Sequence, residues 1–346
     1  MNRLRFLHIG VAGALLALIL WKTGINDVRE VLRDVDARLL VAVALLNIPL
    51  ALLFPVRSHF VLRRLGADIE PRVLVPAAIL GNVAGSLTPA SSGELLRTTV
   101  LRTHADLAVE DGLALVLYER GVSMYLMMLG TGVAAAFVAL DFGPAAATGA
   151  LSLPLFALPA AAPALLRLLP DVSDDDRVGA VRSMLRRVQR VAGRLRFLFG
   201  DRRLLAGWSL LTAAMFAIAM LQLWLLARSV SHAIRPEEAW VGYGASQLAG
   251  IASLLPLGLG AADGSLAALL RRMGTTFEEG TVVAILVRAT MTLPLGLMAV
   301  ASWVWLARQG APEQRAENRE QRTGDGKQQT GDSKQQTANS KGHRSP

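Results

Sequence analysis

Residues 81–120 read GNVAGSLTPASSGELLRTTVLRTHADLAVEDGLALVLYER, and residues 248–288 read LAGIASLLPLGLGAADGSLAALLRRMGTTFEEGTVVAILVR. The second stretch echoes the first. Pro89 matches Pro256, Gly93 matches Gly260, Glu110-Asp111-Gly112 matches Glu278-Glu279-Gly280, and Arg120 matches Arg288, with one slip of register. Each stretch is apolar, is broken at its proline, and restarts close to a carboxylate, Glu94 or Asp263. Proline removes a backbone donor and fixes φ, so it ends one helix and is tolerated at the start of the next. Gly93 allows the turn an unusual backbone angle. A helix that starts near Glu94, with Ser91, Ser92 and Arg97 beside it, offers N–H groups and a guanidinium suited to a phosphate. Glu94 opposes such an anion unless it is protonated or paired with Arg. Pro256-Leu-Gly-Leu-Gly-Ala-Ala-Asp repeats the design with Gly258 and Gly260 in the turn.

The sequence around these breaks is apolar over lengths that suit a bilayer. The chain has 346 residues, 53% of them hydrophobic, and its mean hydropathy is +0.42. Uncharged runs cover Leu39–Val56, Val73–Ser92, Gly121–Leu140, Phe142–Leu166, Leu204–Ala227 and Ala239–Ala262. Roughly 20 helical residues cross a hydrocarbon core, and lipid admits such segments only when their backbone is internally bonded. The reading is therefore an all-α, polytopic transmembrane bundle with about six full spans. These are Phe6–Trp21, Leu39–Val56, Gly112–Leu140, Phe142–Leu166, Leu204–Ala227 and Thr281–Ala307. Two further elements, Val73–Ser92 and Ala239–Ala262, enter the membrane and turn back. Phe6–Trp21 has basic residues before it, as a signal peptide does, but no small-x-small site follows Trp21, so it is read as a retained span.

Net charge is +9. The basic residues flank apolar spans, so they set orientation and do not indicate nucleic-acid binding. Arg57, Arg63, Arg64, Arg72, Arg97, Arg102 and the Arg-dense stretch from Arg167 to Arg203 fall on one side, which places both termini in the cytoplasm. Three spans separate the two echoing stretches, so they enter from opposite sides and form an inverted repeat of the kind found in secondary transporters. Within residues 173–200, Ser173-x-x-Asp176 resembles a capping box, and Val178, Val181, Leu185, Val188, Val191, Leu195 and Leu198 recur at helical spacing among Arg182, Arg186, Arg190, Arg194 and Arg196. This is read as an amphipathic cytoplasmic helix on anionic inner-leaflet lipid, with a packing helix as the alternative. The transmembrane domain is taken as 1–308. Residues 309–346 carry tandem Thr-Gly-Asp repeats and too few apolar residues to fold, so they read as a disordered tail.

Glu94, Arg97, Glu119, Arg120, Asp263 and Arg288 lie in or beside apolar segments. An ionised side chain in hydrocarbon costs roughly 2.5–3.5 kcal/mol on the gentlest scale, so each needs a partner or water. Pairing that holds broken helices together is one role; head-group binding or proton coupling is the other. Cysteine is absent and the five histidines are scattered, so no metal site or cofactor is expected. No phosphate-binding G-x-x-x-x-G-K-[ST] loop and no nucleophile with a nearby base is present, and no catalytic signature is assigned.

Asn82, Pro89, Gly93, Glu94 and Arg97, in the form N-x(n)-P-x-x-x-G-E-x-x-R, resemble the first motif of the lysylphosphatidylglycerol synthase transmembrane region family. Pro256, Gly258, Gly260 and Asp263 resemble its second, with Asp in place of the family's Glu. Glu119-Arg120 is similar to the family's E-R pair, and Arg57 to an Arg after the second span. The resemblance covers about residues 1–308. It implies a cytoplasmic-membrane protein with two re-entrant elements, of the flippase-like type and without the aminoacyl-transfer domain. It further implies movement of an anionic phospholipid or a polyprenyl-linked lipid, the latter beside a glycosyltransferase or lipid-modifying enzyme. The alternatives are a non-transporting accessory subunit and a membrane-embedded head-group enzyme.

Overall fold

The computed structural model describes residues 35–140, 180–230 and 234–309. Every regular element among them is helical. In order these are α1 (Ala37–Arg64), α2 (Pro71–Leu87), a 3₁₀ turn (Pro89–Glu94), α3 (Leu95–Ala105), α4 (Val109–Leu140) and α5 (Ala180–Gly200). Then follow α6 (Arg202–Val230), α7 (Pro236–Ala252), a second 3₁₀ turn (Pro256–Gly258), α8 (Ala261–Arg272), α9 (Phe277–Val287), a π turn (Arg288–Thr292) and α10 (Leu293–Gln309). The expected spans Phe6–Trp21 and Phe142–Leu166, the Ser173–Asp176 cap and the tail beyond Gln309 lie outside the described residues.

Four helices are long and apolar enough to cross a membrane: Ala37–Arg64, Val109–Ala136, Arg202–Val230 and Phe277–Arg308. They are the four expected spans that fall within the described residues, with ends that differ by about two turns or less. Their ends are set locally. The Asp36 carboxylate accepts from the Arg38 N–H at 2.8 Å, and Pro71 and Pro236 open α2 and α7 where a missing N–H costs nothing. Thr276 and Glu279 cap α9 reciprocally at 3.1 and 2.7 Å. Val41, Leu45, Ile48, Leu52 and Val56 stay exposed along one face of α1, as do Leu293, Leu297, Val300 and Val304 on α10. Such stripes would be a liability in water and are the expected outer surface in lipid.

The two broken elements are helical hairpins. At 1.5 Å per residue, α2 is about 25 Å long and α3 about 16 Å, each short of a ~30 Å hydrocarbon core. The start of α2 and the end of α3 meet in one apolar cluster through Val73, Leu74, Val100 and Leu101, together with the end of α1, the start of α4, α5 and the start of α6. The start of α7 and the end of α8 meet in a second cluster through Ala239, Leu266 and Leu270, with the start of α1, the end of α6 and α9. The order α1–α2–turn–α3–α4 therefore recurs as α6–α7–turn–α8–α9/α10. α2 packs on α10 and α7 packs on α4, so each half lends its last helix to the other half's hairpin. α1 and α6 run antiparallel: Arg64 near the end of α1 bonds Asp201 at the start of α6 at 2.6 Å, while Val43 near the start of α1 accepts from Gln222 late in α6 at 3.0 Å.

Helix α5 packs on protein over part of its apolar face, as the alternative reading of it expects. Val191 and Leu198 are buried, and Leu195 and Phe199 pack on the first cluster. Arg190 pairs with Glu110 at 3.0 Å and Arg194 with Asp111 at 2.8 Å, both on α4. Val191, Leu195 and Leu198 are thus turned to protein, because α4 offers both an apolar surface and two carboxylates in register with them, while Val188 stays exposed.

Candidate functional site

The breaks in the hairpins form for different reasons. In the first, Thr88 turns back and its hydroxyl accepts the Gly93 N–H at 2.6 Å. Gly93 has no positive φ; a Cβ there would collide with the Ala84 carbonyl oxygen. Its role is close approach of backbone, and the unusual angle expected for it is absent. The second turn does use left-handed backbone, at Gly258 (φ 61), Gly260 (φ 79), Leu254 (φ 56) and Leu257 (φ 55). For the two leucines this stores strain, about 1–3 kcal/mol each.

These turns bring two short helix starts beside two long helices. Glu94 at the start of α3 accepts from the Arg120 guanidinium on α4 at 3.2 Å. Asp263 in the first turn of α8 accepts from Arg288 through two bonds, 2.9 and 3.1 Å, and from the Gly260 N–H at 2.9 Å. The shorter Asp side chain reaches its partner because α8 lies against α9, where Gly280 leaves room for the Ala267 backbone. Glu94 and Arg97, three residues apart on one face, do not pair with each other. Arg97 Nη2 bonds Glu119 at 2.7 Å, with side chains 7% and 5% exposed. Ser58 Oγ accepts from Arg97 at 3.0 Å and donates to Glu119 at 2.9 Å. Adjacent residues of α4 therefore hold two residues of α3 that lie almost a turn apart. Arg97, expected as an anion ligand at the helix start, is instead largely committed to Glu119.

Arg57 differs from the other intramembrane cations. It is buried, and its Nη1 donates to Ser123 at 3.3 Å and Thr212 at 3.2 Å. Its guanidinium carbon lies 4.6 Å from the Trp208 ring centroid and 5.8 Å from that of Phe54, within cation–π range. Among the described residues no carboxylate forms an ion pair with it, and its Nε has no partner. Asn47 and Gln222, absent from the sequence reading, form a second polar centre. Gln222 donates to Asn47 Oδ1 at 3.3 Å, and Asn47 donates to the Thr290 carbonyl at 2.6 Å.

A cavity of about 890 Å³ joins the halves. Arg57, Asn82, Glu94 and Arg120 line it from the first half and Pro256's neighbours Leu257 and Gly258, Asp263 and Arg288 from the second. Ser92 is exposed and does not line it; Pro89 and Ser91 belong to the first 3₁₀ turn. Leu87, Leu254, Leu293, Leu297, Val300 and Trp303 also line the cavity while remaining exposed. The cavity thus runs from a charged floor to the lipid-facing surface. No group of three or more His, Asp or Glu fit to hold a metal occurs among the described residues.

A helical integral membrane protein with two broken hairpins facing one charged cavity is the class these observations define. Comparison with known families matches residues 5–299 to the lysylphosphatidylglycerol synthase TM region, and the chain belongs to that family. Comparison with curated proteins gives no match.

Proposed function

We propose that this protein translocates an anionic phospholipid or a polyprenyl-linked lipid between leaflets of the cytoplasmic membrane. The observation that carries the reading is the continuity of the cavity, from Arg57, Arg120, Arg288 and their carboxylates out to exposed Leu293, Leu297 and Trp303. A lipid can place its head group among the charges while its chains stay in the bilayer. The antiparallel α1–α6 pair and the exchanged helices support reading the halves as an inverted repeat with two re-entrant hairpins, an arrangement that suits alternating access around a midplane site. Without a nucleotide-binding loop in the sequence, movement would be downhill or ion-coupled, with Glu94, Glu119 and Asp263 as proton carriers.

The test is leaflet exchange of labelled anionic phospholipid and polyprenyl phosphate in liposomes containing the purified protein, with Arg97→Gln and Asp263→Asn as variants. Exchange in wild type that both variants abolish is the expected result. Absence of exchange with either lipid sinks the translocator. Preserved cellular function in Arg97→Gln would then favour an accessory subunit of a glycosyl-transfer or lipid-modifying complex.

A further inference from the structure

A second, smaller cavity of about 60 Å³ opens beside the large one. Its lining contains three guanidinium groups, Arg57, Arg97 and Arg120, and two carboxylates, Glu94 and Glu119. Each carboxylate is held by its own arginine, Glu119 by Arg97 and Glu94 by Arg120. One positive charge, on Arg57, is left without an ion-pair partner among the described residues. Arg57 Nε and Arg97 Nε are both buried donors with no acceptor, on side chains more than nine-tenths buried. Guanidinium groups donate and never accept, so what these atoms lack is an acceptor, and what the cluster lacks is one negative charge. A cavity of ~10–15 Å³ already holds a water, so this one admits a group of several heavy atoms.

We infer that this small cavity binds the phosphodiester of the lipid, a group bearing a single negative charge, with Arg57 as its principal ligand. The phosphate is taken to be a lipid's on the reading above. A diester monoanion neutralises the cluster and supplies acceptor oxygens to the guanidinium groups that line the cavity, a pairing that guanidinium and phosphate favour. A diphosphate brings at least one charge in excess into a site whose carboxylates are already present, where uncompensated charge is costly. A neutral lipid leaves Arg57 unmatched. The same diester occurs in phospholipids such as phosphatidylglycerol and in polyprenyl phosphosugars, and both fit the site. The two cavities share Phe54, Arg57, Asn82, Glu94, Arg120 and Ser123, so a bound phosphate leaves the rest of the head group in the larger one.

The experiment is equilibrium lipid binding to the purified full-length protein in detergent, with four probes: phosphatidylglycerol, a polyprenyl phosphosugar, a polyprenyl diphosphosugar and diacylglycerol. The two diesters bind more tightly than the diphosphate and than diacylglycerol, and preference between the diesters names the source. Arg57→Gln weakens diester binding by about tenfold or more, and Arg57→Lys, which keeps the charge, binds more tightly than Arg57→Gln. A diphosphate that outcompetes the diesters on wild type, or equal binding of diester and diacylglycerol, overturns the assignment without recourse to a variant. So does a folded Arg57→Gln protein that binds the diester as wild type does. Charge-selective binding without leaflet exchange leaves this site standing and removes the translocator; exchange indifferent to head-group charge does the reverse.

Discussion

Pro294 has no N–H to offer the carbonyl four residues before it, and Asn47 takes its place. The Thr290 carbonyl accepts from the Asn47 amide at 2.6 Å, and the backbone there opens into the π turn Arg288–Thr292. Gln222 in turn fixes Asn47. This polar bridge holds open the turn that begins with Arg288, and so sets where that guanidinium meets Asp263. Asn47→Leu is expected to cost about 1–3 kcal/mol, because it strands a partly buried carbonyl. Adding Pro294→Ala to Asn47→Leu restores a donor and recovers part of the loss; a double variant no more stable than Asn47→Leu in detergent unfolding would refute the substitution of one donor for another. The Arg97–Glu119 pair behaves differently. Glu119→Gln leaves Arg97 and Arg57 in one buried cluster without a counter-charge and costs about 3–5 kcal/mol, whereas Arg97→Gln leaves Glu119 in the same cavity as the unpaired Arg57 and costs less. The double variant costs less than the two singles together, and a double-mutant cycle with no coupling would show the pair to be independent.

At the scale of elements, glycine position decides how closely the hairpins sit on the long helices. A Cβ on Gly280 would lie 2.9 Å from the Ala267 carbonyl oxygen, while one on Gly121 meets nothing within 4 Å. Gly121→Ala should therefore be neutral or gain up to about 1 kcal/mol from helix propensity. Gly280→Ala should lose about 1–2 kcal/mol as overpacking exceeds that gain; thermal unfolding that ranks the two variants in the opposite order refutes the close approach. The start of α6 depends on one carboxylate. The Leu204 N–H, opposed by partial burial and assisted by Arg64 and the Arg203 N–H, holds Asp201 below the usual carboxylate range. A depressed carboxyl stabilises the fold fully above its ordinary pKa and loses that contribution as pH falls through its lower folded value. Asp201→Asn keeps the cap but loses the charge at the helix N-terminus and towards Arg64, so it should be less stable than wild type at neutral pH by about 0.3–1 kcal/mol. The difference should shrink at pH below the carboxylate range, and a gap that persists there excludes the linkage. The matched breaks at Pro89 and Pro256 and the four described spans were legible because proline and long apolar runs act locally. The partners of α5 were not, since an amphipathic face reads alike whether it meets lipid or α4. Asn47 and Gln222 carry a usable signal, a polar side chain inside an apolar run, but an uncharged amide stands out there less than a formal charge. Which arginine holds which carboxylate is set by packing between α3 and α4 and has no signature in spacing.

For the whole molecule, the ends of the bundle differ in charge. Arg63, Arg64, Arg72, Arg102, Arg202, Arg203 and Arg308 gather at one end with the Arg-rich α5. At the other, Arg38, Arg228, Arg235, Arg271 and Arg272 are matched by Asp36, Glu237, Glu238, Glu278 and Glu279. Basic residues are retained in the cytoplasm, so the first end should face inward. The two hairpins then open from opposite sides, with the Arg57 cluster reached past α2–α3 and the Asp263–Arg288 pair past α7–α8. The chain contains no cysteine, so single cysteines report position against a silent background. Arg72 lies in the first turn of α2 and Arg272 closes α8, and both are exposed. In intact cells a membrane-impermeant maleimide should label Arg272→Cys and spare Arg72→Cys until the membrane is permeabilised. Labelling of Arg72→Cys alone inverts the orientation, and labelling of both from outside removes the opposed hairpins on which alternating access depends. With the expected pattern, Arg57, which has no ion-pair partner among the described residues, is approached from the cytoplasmic hairpin, so on the proposed function an anionic head group would enter from the inner leaflet.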